Sequence, residues 1–103
     1  MTLAVLPGAV IRRRITEVSR RLSRCRQELQ VAEEQLGHFS DSEADAHLRS
    51  LVSETPLADR EFRDAARHAE AMASHRDRLR SEIAALEERL DELLDRLSSR
   101  RNP

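Results

Sequence analysis

The sequence contains no lysine, tryptophan or tyrosine, and it has one cysteine and two glycines. With two phenylalanines as its only aromatics, it lacks the rings that stack bases in single-strand nucleic-acid sites. The single Cys25 excludes an internal disulfide and a cysteine metal cluster. His68 and His75 are seven residues apart, about 10 Å along a helix, which is too far to share a metal ion. No phosphate loop or nucleophile motif occurs, so we expect no enzyme, cofactor or small-molecule substrate.

Charged residues are abundant, at 36% of the 103 residues, yet the formal net charge is only −1. All 18 basic residues are arginine; residues 12–26 are strongly basic, whereas residues 82–95 are acidic. A chain with almost no net charge is not expected to bind polyanions over its whole surface. The length corresponds to one domain at most, and the composition is typical of long amphipathic helices.

Apolar residues recur at alternating steps of three and four through two long segments of the chain. This spacing places them on one face of a helix and is typical of a coiled-coil core. The first stripe comprises Ile11, Ile15, Val18, Leu22, Cys25, Leu29, Ala32 and Leu36, and the second comprises Phe62, Ala65, Ala69, Met72, Leu79, Ile83, Leu86, Leu90, Leu93 and Leu97.

Turn and capping residues predict three helices. Gly37 is expected to end the first, because glycine accepts the left-handed conformation of a helix C-terminus. The stretch Ser-Asp-Ser-Glu at 40–43 predicts a capping box that starts a short helix. Thr55 and Pro56 are a favoured cap and first-turn residue for the last helix. The predicted bounds are residues 8–37, 41–53 and 56–98 for the helices, in a single helical domain over 8–98, with an N-terminal extension at 1–7 and a frayed tail at 99–103.

We therefore predict an all-α fold, an antiparallel helical hairpin or coiled coil of two long heptad helices with a short third helix at its tip. In this arrangement Leu48, Leu51 and Val52 pack on an alanine-rich stretch of the last helix. The competing arrangement is an up-down-up bundle in which the long helices are parallel. It is less favoured because it leaves most leucines of the last helix uncovered.

The antiparallel register follows from matching the two stripes. It places Phe39 opposite Phe62 at the tip and Arg76 opposite Cys25. It also predicts ion pairs beside the core, Arg21 with Glu82 and Arg12 with Glu87. Exposed pairs of this kind are worth only ~0.2–1 kcal/mol each, so they select the orientation of the helices and apolar burial supplies the stability.

Arg76 is the one charged residue in the second stripe, and it has two compatible interpretations. Its stem can pack in the core while its guanidinium reaches water or Glu28. Its charge would also disfavour a parallel zipper, in which it would meet its own copy. A direct ligand contact is the third interpretation. We predict that Arg76 and Cys25 together specify the pairing of the helices, with Cys25 a buried thiol rather than a nucleophile.

The leading functional hypothesis is a non-enzymatic interaction or adaptor protein that associates with itself or with another helical protein through apolar helix faces. A two-helix hairpin has no third wall to cover Leu94, which lies beside the second stripe, so a homodimer forming a four-helix bundle would complete the core. The predicted partner interface comprises Leu90, Leu93, Leu94 and Leu97.

The alternative is a small transcription-associated or nucleic-acid-linked regulator, with nucleic acid the less favoured partner. The candidates for phosphate contact are Arg12, Arg13, Arg14, Arg20, Arg21 and Arg24. The tip is acidic, with Asp41, Glu43, Asp45, Glu54, Asp59 and Glu61. An antiparallel coiled coil with an acidic tip resembles in outline the bacterial factors that insert such a hairpin into the secondary channel of RNA polymerase. No residue-level motif is shared with them, so the sequence assigns no family.

The first residues, MTLAVLPGAVIRRR, place apolar residues before positive charges, which is the reverse of a secretory signal. The apolar run is also too short to span a bilayer. Together with the single cysteine, this predicts a cytoplasmic protein with no membrane partner.

Overall fold

The computed structural model describes residues 7–101 of the chain, and within that range it is all-helical. It contains two helices, α1 over Gly8–Ser53 and α2 over Pro56–Arg101, each of 46 residues. The N-terminal extension predicted at 1–7 lies outside the described residues except for Pro7. The helix α2 runs three residues beyond its predicted end at 98. The two helices form a helical hairpin, as the sequence predicts.

The short third helix predicted over residues 41–53 is not present, because α1 continues without a break through Gly37 to Ser53. Gly37 does not have a positive φ angle, so it does not end a helix. Ser40 and Glu43, the predicted capping box, are both inside α1. The reason is that the 3.5-residue spacing of the first stripe continues in phase beyond Leu36, through Phe39, Glu43, Ala46 and Ser50.

The turn between the helices has the chemistry that the sequence predicts at Thr55 and Pro56. Glu54 has a φ of 51°, the left-handed conformation that commonly terminates a helix. The Ala58 amide donates to the Thr55 hydroxyl at 3.2 Å, which is the hydrogen bond of an N-terminal cap. The Asp59 amide donates to the Thr55 carbonyl at 3.1 Å. Only Glu54 and Thr55 therefore separate two helices that reverse direction.

The described residues divide into two compact units, and the first comprises residues 7–27 and 81–101. Its buried core includes Ile11, Leu22 and Leu93, and Leu93 is completely inaccessible to solvent. Arg21 Nε donates to Glu82 at 2.8 Å, which confirms a predicted ion pair. Glu87 pairs with Arg26 at 3.0 Å rather than with Arg12. The first unit is therefore an antiparallel pair with an apolar core and ion pairs at its edge.

The second unit comprises residues 28–80, and its buried residues are mostly small. They are Ala32, Ala46, Ser50, Ala58, Ala69 and Leu79. An exposed ion pair joins Arg80 to Glu33 at 3.2 Å. Because alanine and serine bury little area, this unit gains less from apolar burial than a leucine-rich core of the same length.

The predicted contact between the two phenylalanines is wrong, because the register of the second unit differs from the predicted one. The Phe39 ring contacts His68, six positions beyond Phe62, with ring centroids 5.9 Å apart. The Phe62 ring stacks on His47, eight positions beyond Phe39, at 4.5 Å. A displacement of six to eight residues is close to one heptad. Shifting a heptad helix by one repeat keeps apolar positions facing each other, so the stripes alone could not distinguish the two registers.

Candidate functional site: an apolar surface beside the turn

Four large apolar side chains around the turn are exposed to solvent. We call Leu48, Leu51, Val52 and Leu57 the tip surface; their exposed fractions are 62%, 62%, 78% and 64%. The first three lie in the last two turns of α1, and Leu57 lies in the first turn of α2. Single exposed apolar residues are common, but Leu48, Leu51 and Val52 are neighbours on one helix, and such a cluster usually marks a surface that another molecule covers.

The helical period explains why these side chains point outward. Ala46 and Ser50 of α1 are buried against α2, with exposed fractions of 3% and 8%. Two residues correspond to about 200° of rotation at 3.6 residues per turn. Leu48 and Val52 each follow a buried position by two residues, so they project away from the interhelical core. The prediction that Leu48, Leu51 and Val52 pack on the alanines of the last helix is therefore wrong.

The core beneath the tip surface is complete without these leucines. Ala46, Ser50 and Ala58 fill it, and the Ser50 hydroxyl donates to the His47 carbonyl at 2.7 Å. No buried side-chain polar atom in the described part of the chain lacks a hydrogen-bond partner. The apolar residues of the tip surface are thus not required to cover a defect in the hairpin.

The charges around the tip surface are mostly negative. Residues 41–68, which extend equally far on both sides of the turn, contain seven acidic residues and four arginines. Asp41 and Asp45 are exposed and lie on the same side of α1 as Leu48, seven and three positions before it. Neither carboxylate forms an ion pair with any residue in the range 7–101. A molecule that covers Leu48 would therefore pass close to unpaired negative charge.

A shallow, open groove of about 460 Å³ lies elsewhere in the second unit. Its floor is formed by small side chains of α2, and Glu43, Glu70 and Arg76 provide its charged atoms. It is lined by Leu36, Ser40, Glu43, Ala66, Ala69, Glu70, Ala73 and Arg76. The groove has few polar groups that converge on one point, so it does not have the form of a small-molecule site.

Arg76 lies at the edge of this groove, and the structure places its head group at the surface. Its side chain is 26% exposed, and its guanidinium pairs with the exposed Asp77 at 3.0 Å. The stem is thus largely covered while the charge reaches solvent, the geometry of a snorkelling arginine. Cys25 is buried in the first unit. A role for Arg76 and Cys25 in specifying helix pairing remains a prediction.

The four leucines of the predicted partner interface have different environments. Leu93 is buried in the core of the first unit, and Leu90 and Leu97 are half-buried. Leu94 is 45% exposed, as expected for a residue beside the apolar stripe. Of these four, Leu94 offers the most accessible apolar area to a partner.

The arginines proposed for phosphate contact are also in different environments. Arg21 is bound to Glu82, whose hydrogen bond and charge raise the pKa of the Arg21 guanidinium, with a smaller contribution from Cys25. Arg14 is half-buried. Arg13, Arg20 and Arg24 are exposed, and they form no ion pair within residues 7–101. Arg12 is also exposed and lies close to Gly8.

Neither α1 nor α2 contains a segment apolar enough to cross a membrane. Within residues 7–101, no group of three or more histidine, cysteine or acidic side chains is arranged to hold a metal ion.

Comparison with known proteins gives no relative from which a function could be transferred. No protein-family model, no curated protein and no solved structure matches the chain.

Proposed function

We propose that the chain is a non-enzymatic interaction module that binds another helical protein, or a second copy of itself, through apolar helix faces. The observation that carries this proposal is the tip surface, where four large apolar side chains are exposed above a core that is already filled. Fully burying one leucine or valine side chain is worth roughly 1.5–3 kcal/mol. Within residues 7–101 these side chains remain exposed, so a partner that buries them would gain this free energy on binding.

Leu94 supports the same proposal at a second position, in the first unit. It is half-exposed beside the buried Leu93, and Val31 of the second unit is similarly accessible. A homodimer that covers Leu94 would form the four-helix arrangement expected from the sequence. Replacing Leu94 and Leu97 by glutamate should then lower the mass measured by sedimentation equilibrium, and an unchanged mass would eliminate this form of the proposal.

A site-specific photocrosslinking experiment tests whether the apolar surfaces contact protein in the cell, which we propose is in the cytoplasm. A photoreactive phenylalanine analogue is placed at Leu51 or at Leu94 of the full-length chain. The matched control is the same analogue at Arg78, which is exposed on α2 in a charged surrounding. Illumination should give a discrete adduct of higher mass from Leu51, Leu94 or both, and none from Arg78.

The identity of the adduct separates the two forms of the proposal. An adduct of twice the chain mass containing only this sequence indicates self-association, and any other defined mass indicates a different partner. If neither apolar position gives an adduct beyond the level at Arg78, the proposed function is refuted.

A second candidate function is contact with phosphate groups of a nucleic acid. Arg13, Arg20 and Arg24 favour it, because they are exposed, unpaired within residues 7–101 and spaced to share one side of α1. Binding to a DNA duplex of about 20 base pairs should weaken with salt, with a slope of about 0.9 log units per contact. Replacing all three arginines by glutamine should abolish that dependence on salt. An affinity for the duplex that does not change with salt, or that is the same for the substituted chain, would contradict this function.

A further inference from the structure

We infer that the tip surface binds a basic amphipathic helix of a different protein. This inference rests on the proposed function and specifies its partner, because it assigns both the fold and the charge of the molecule that covers the leucines.

The shape of the surface suits a helix. Leu48, Leu51 and Val52 are spaced i, i+3 and i+4, so their Cβ atoms are neighbours, about 5–6 Å apart on one side of α1. Ala44 is exposed one turn earlier on the same side. The result is an apolar stripe with a small residue at one end and large residues at the other. A partner helix with apolar anchors at i, i+3, i+4 and i+7 fits such a stripe.

The charge around the surface determines what must flank those anchors. Asp41 and Asp45 lie beside the stripe, and neither has a cationic partner in the described chain. The exposed basic residue of α1 nearest to these carboxylates is Arg49, which pairs with neither of them, and residues 41–68 have three more acidic residues than arginines. A partner with lysine or arginine beside its apolar stripe would place its cations against these carboxylates, which raises both specificity and association rate.

The same charges argue against a second copy at this position. A homotypic contact between two tip surfaces would bring Asp41 and Asp45 of each chain close to the acidic segment of the other. Like charges across an interface are costly, and the seven acidic residues of the segment 41–68 outnumber its four arginines. The tip surface is therefore better matched to a cationic partner than to itself.

Binding of defined peptides to the purified full-length chain tests the inference. The probe is an 18-residue helical peptide with leucines at i, i+3, i+4 and i+7 and lysines beside them, labelled for fluorescence anisotropy. The comparison peptide has the same leucines with glutamates in place of lysines. We expect the lysine peptide to bind at least about tenfold more tightly at low salt. That preference should shrink as salt rises, because exposed charges are screened.

Variants of the chain locate the binding surface. Combining Leu48→Ser with Val52→Ser should weaken binding of the lysine peptide about tenfold. Combining Asp41→Asn with Asp45→Asn should reduce the preference for lysine over glutamate to near unity. The matched controls are Val31→Ser, for loss of an exposed apolar side chain, and the pair Asp91→Asn and Asp95→Asn, for loss of two exposed carboxylates with the same spacing. These controls should leave binding unchanged. All of these positions are exposed or half-exposed, so helicity measured by circular dichroism should be retained.

Three results would overturn the inference. The first is equal binding of the two peptides, and the second is equal loss of binding in the controls. The third is a wild-type dimer, seen by sedimentation equilibrium, that the Leu48 and Val52 substitutions convert to monomer. That third outcome would identify a second copy as the occupant and leave the proposed interaction function intact. Only the absence of any crosslink at Leu51 and Leu94 would remove the proposed function itself.

Discussion

Replacing Gly37 by alanine distinguishes a continuous α1 from a helix that ends at this residue. In the structure Gly37 has a helical conformation, and a Cβ atom added there would meet nothing within 4 Å beyond its chain neighbours and the adjacent backbone of α1. Glycine in an exposed helix interior is about 0.8–1.0 kcal/mol less favourable than alanine. The substitution Gly37→Ala should therefore stabilise the chain by about 1 kcal/mol. If Gly37 instead ended a helix in the left-handed conformation, alanine would be strained and would destabilise the chain.

Urea unfolding followed by circular dichroism measures this difference. With a slope of about 1–3 kcal/mol/M, a gain of 1 kcal/mol raises the midpoint by about 0.3–1 M. The matched control is Ala44→Gly, seven residues later on the same side of α1 and also exposed, which should lower the midpoint by a similar amount. The unfolding curves are recorded at two protein concentrations so that any effect of association is separated from chain stability. A lower midpoint for Gly37→Ala would refute the continuous helix.

Three further predictions concern the core, the turn and the specificity of pairing. Leu93→Ala should cost about 2–5 kcal/mol in urea unfolding because Leu93 is fully buried; the half-exposed Leu94→Ala should cost much less, and equal losses would contradict the packing of the first unit. Thr55→Ala should cost about 1 kcal/mol through loss of its hydrogen bond to the Ala58 amide; Thr55→Asp should restore most of it, and failure of this rescue would argue against the cap. Arg76→Leu should increase the sedimenting mass if the arginine charge prevents zipper formation; an unchanged mass would leave Arg76 as a snorkelling side chain without a role in specificity.

Much of the fold could be predicted from the sequence because its signals are local and agree with one another. The heptad stripes place Ile11, Leu22 and Leu93 correctly in a buried core. Thr55 and Pro56 correctly start the last helix, because a hydroxyl cap followed by proline has few other uses. The predicted pairing of Arg21 with Glu82 is confirmed although the register of the helices differs from the predicted one. Arginine and glutamate side chains are long enough to meet in more than one register of the two helices.

The register and the length of α1 could not be predicted, because the signals there conflict. Glycine often ends a helix, but it is also tolerated inside one at a cost in stability. The presence of glycine at position 37 therefore does not show whether the helix ends there or continues. The stretch Ser-Asp-Ser-Glu matches a capping box but also continues a helix without a clash. Registers one heptad apart keep the same kinds of residue face to face, and the ring contacts at Phe39 and Phe62 appear only in three dimensions.

The exposed tip surface was not predicted from the sequence, because residues 44–52 contain two sets of residues at helical spacing. The less apolar of the two sets is the one that is buried. Ala46 and Ser50 continue the phase of the α1 core, while Leu48 and Val52 are more apolar but lie on the opposite side. The more apolar residues, Leu48 and Val52, are the ones expected in the core from the sequence. To bury them, the first helix would have to end at Gly37 so that a separate helix could turn this side toward the core. A hairpin optimised for stability alone would place leucine at positions 46 and 50 and polar residues at 48 and 52. This chain has the reverse arrangement, which sacrifices apolar burial and leaves an exposed apolar face beside acidic residues. Departures of this kind from local consistency are expected at functional sites, and here the departure coincides with the surface that we propose binds a partner.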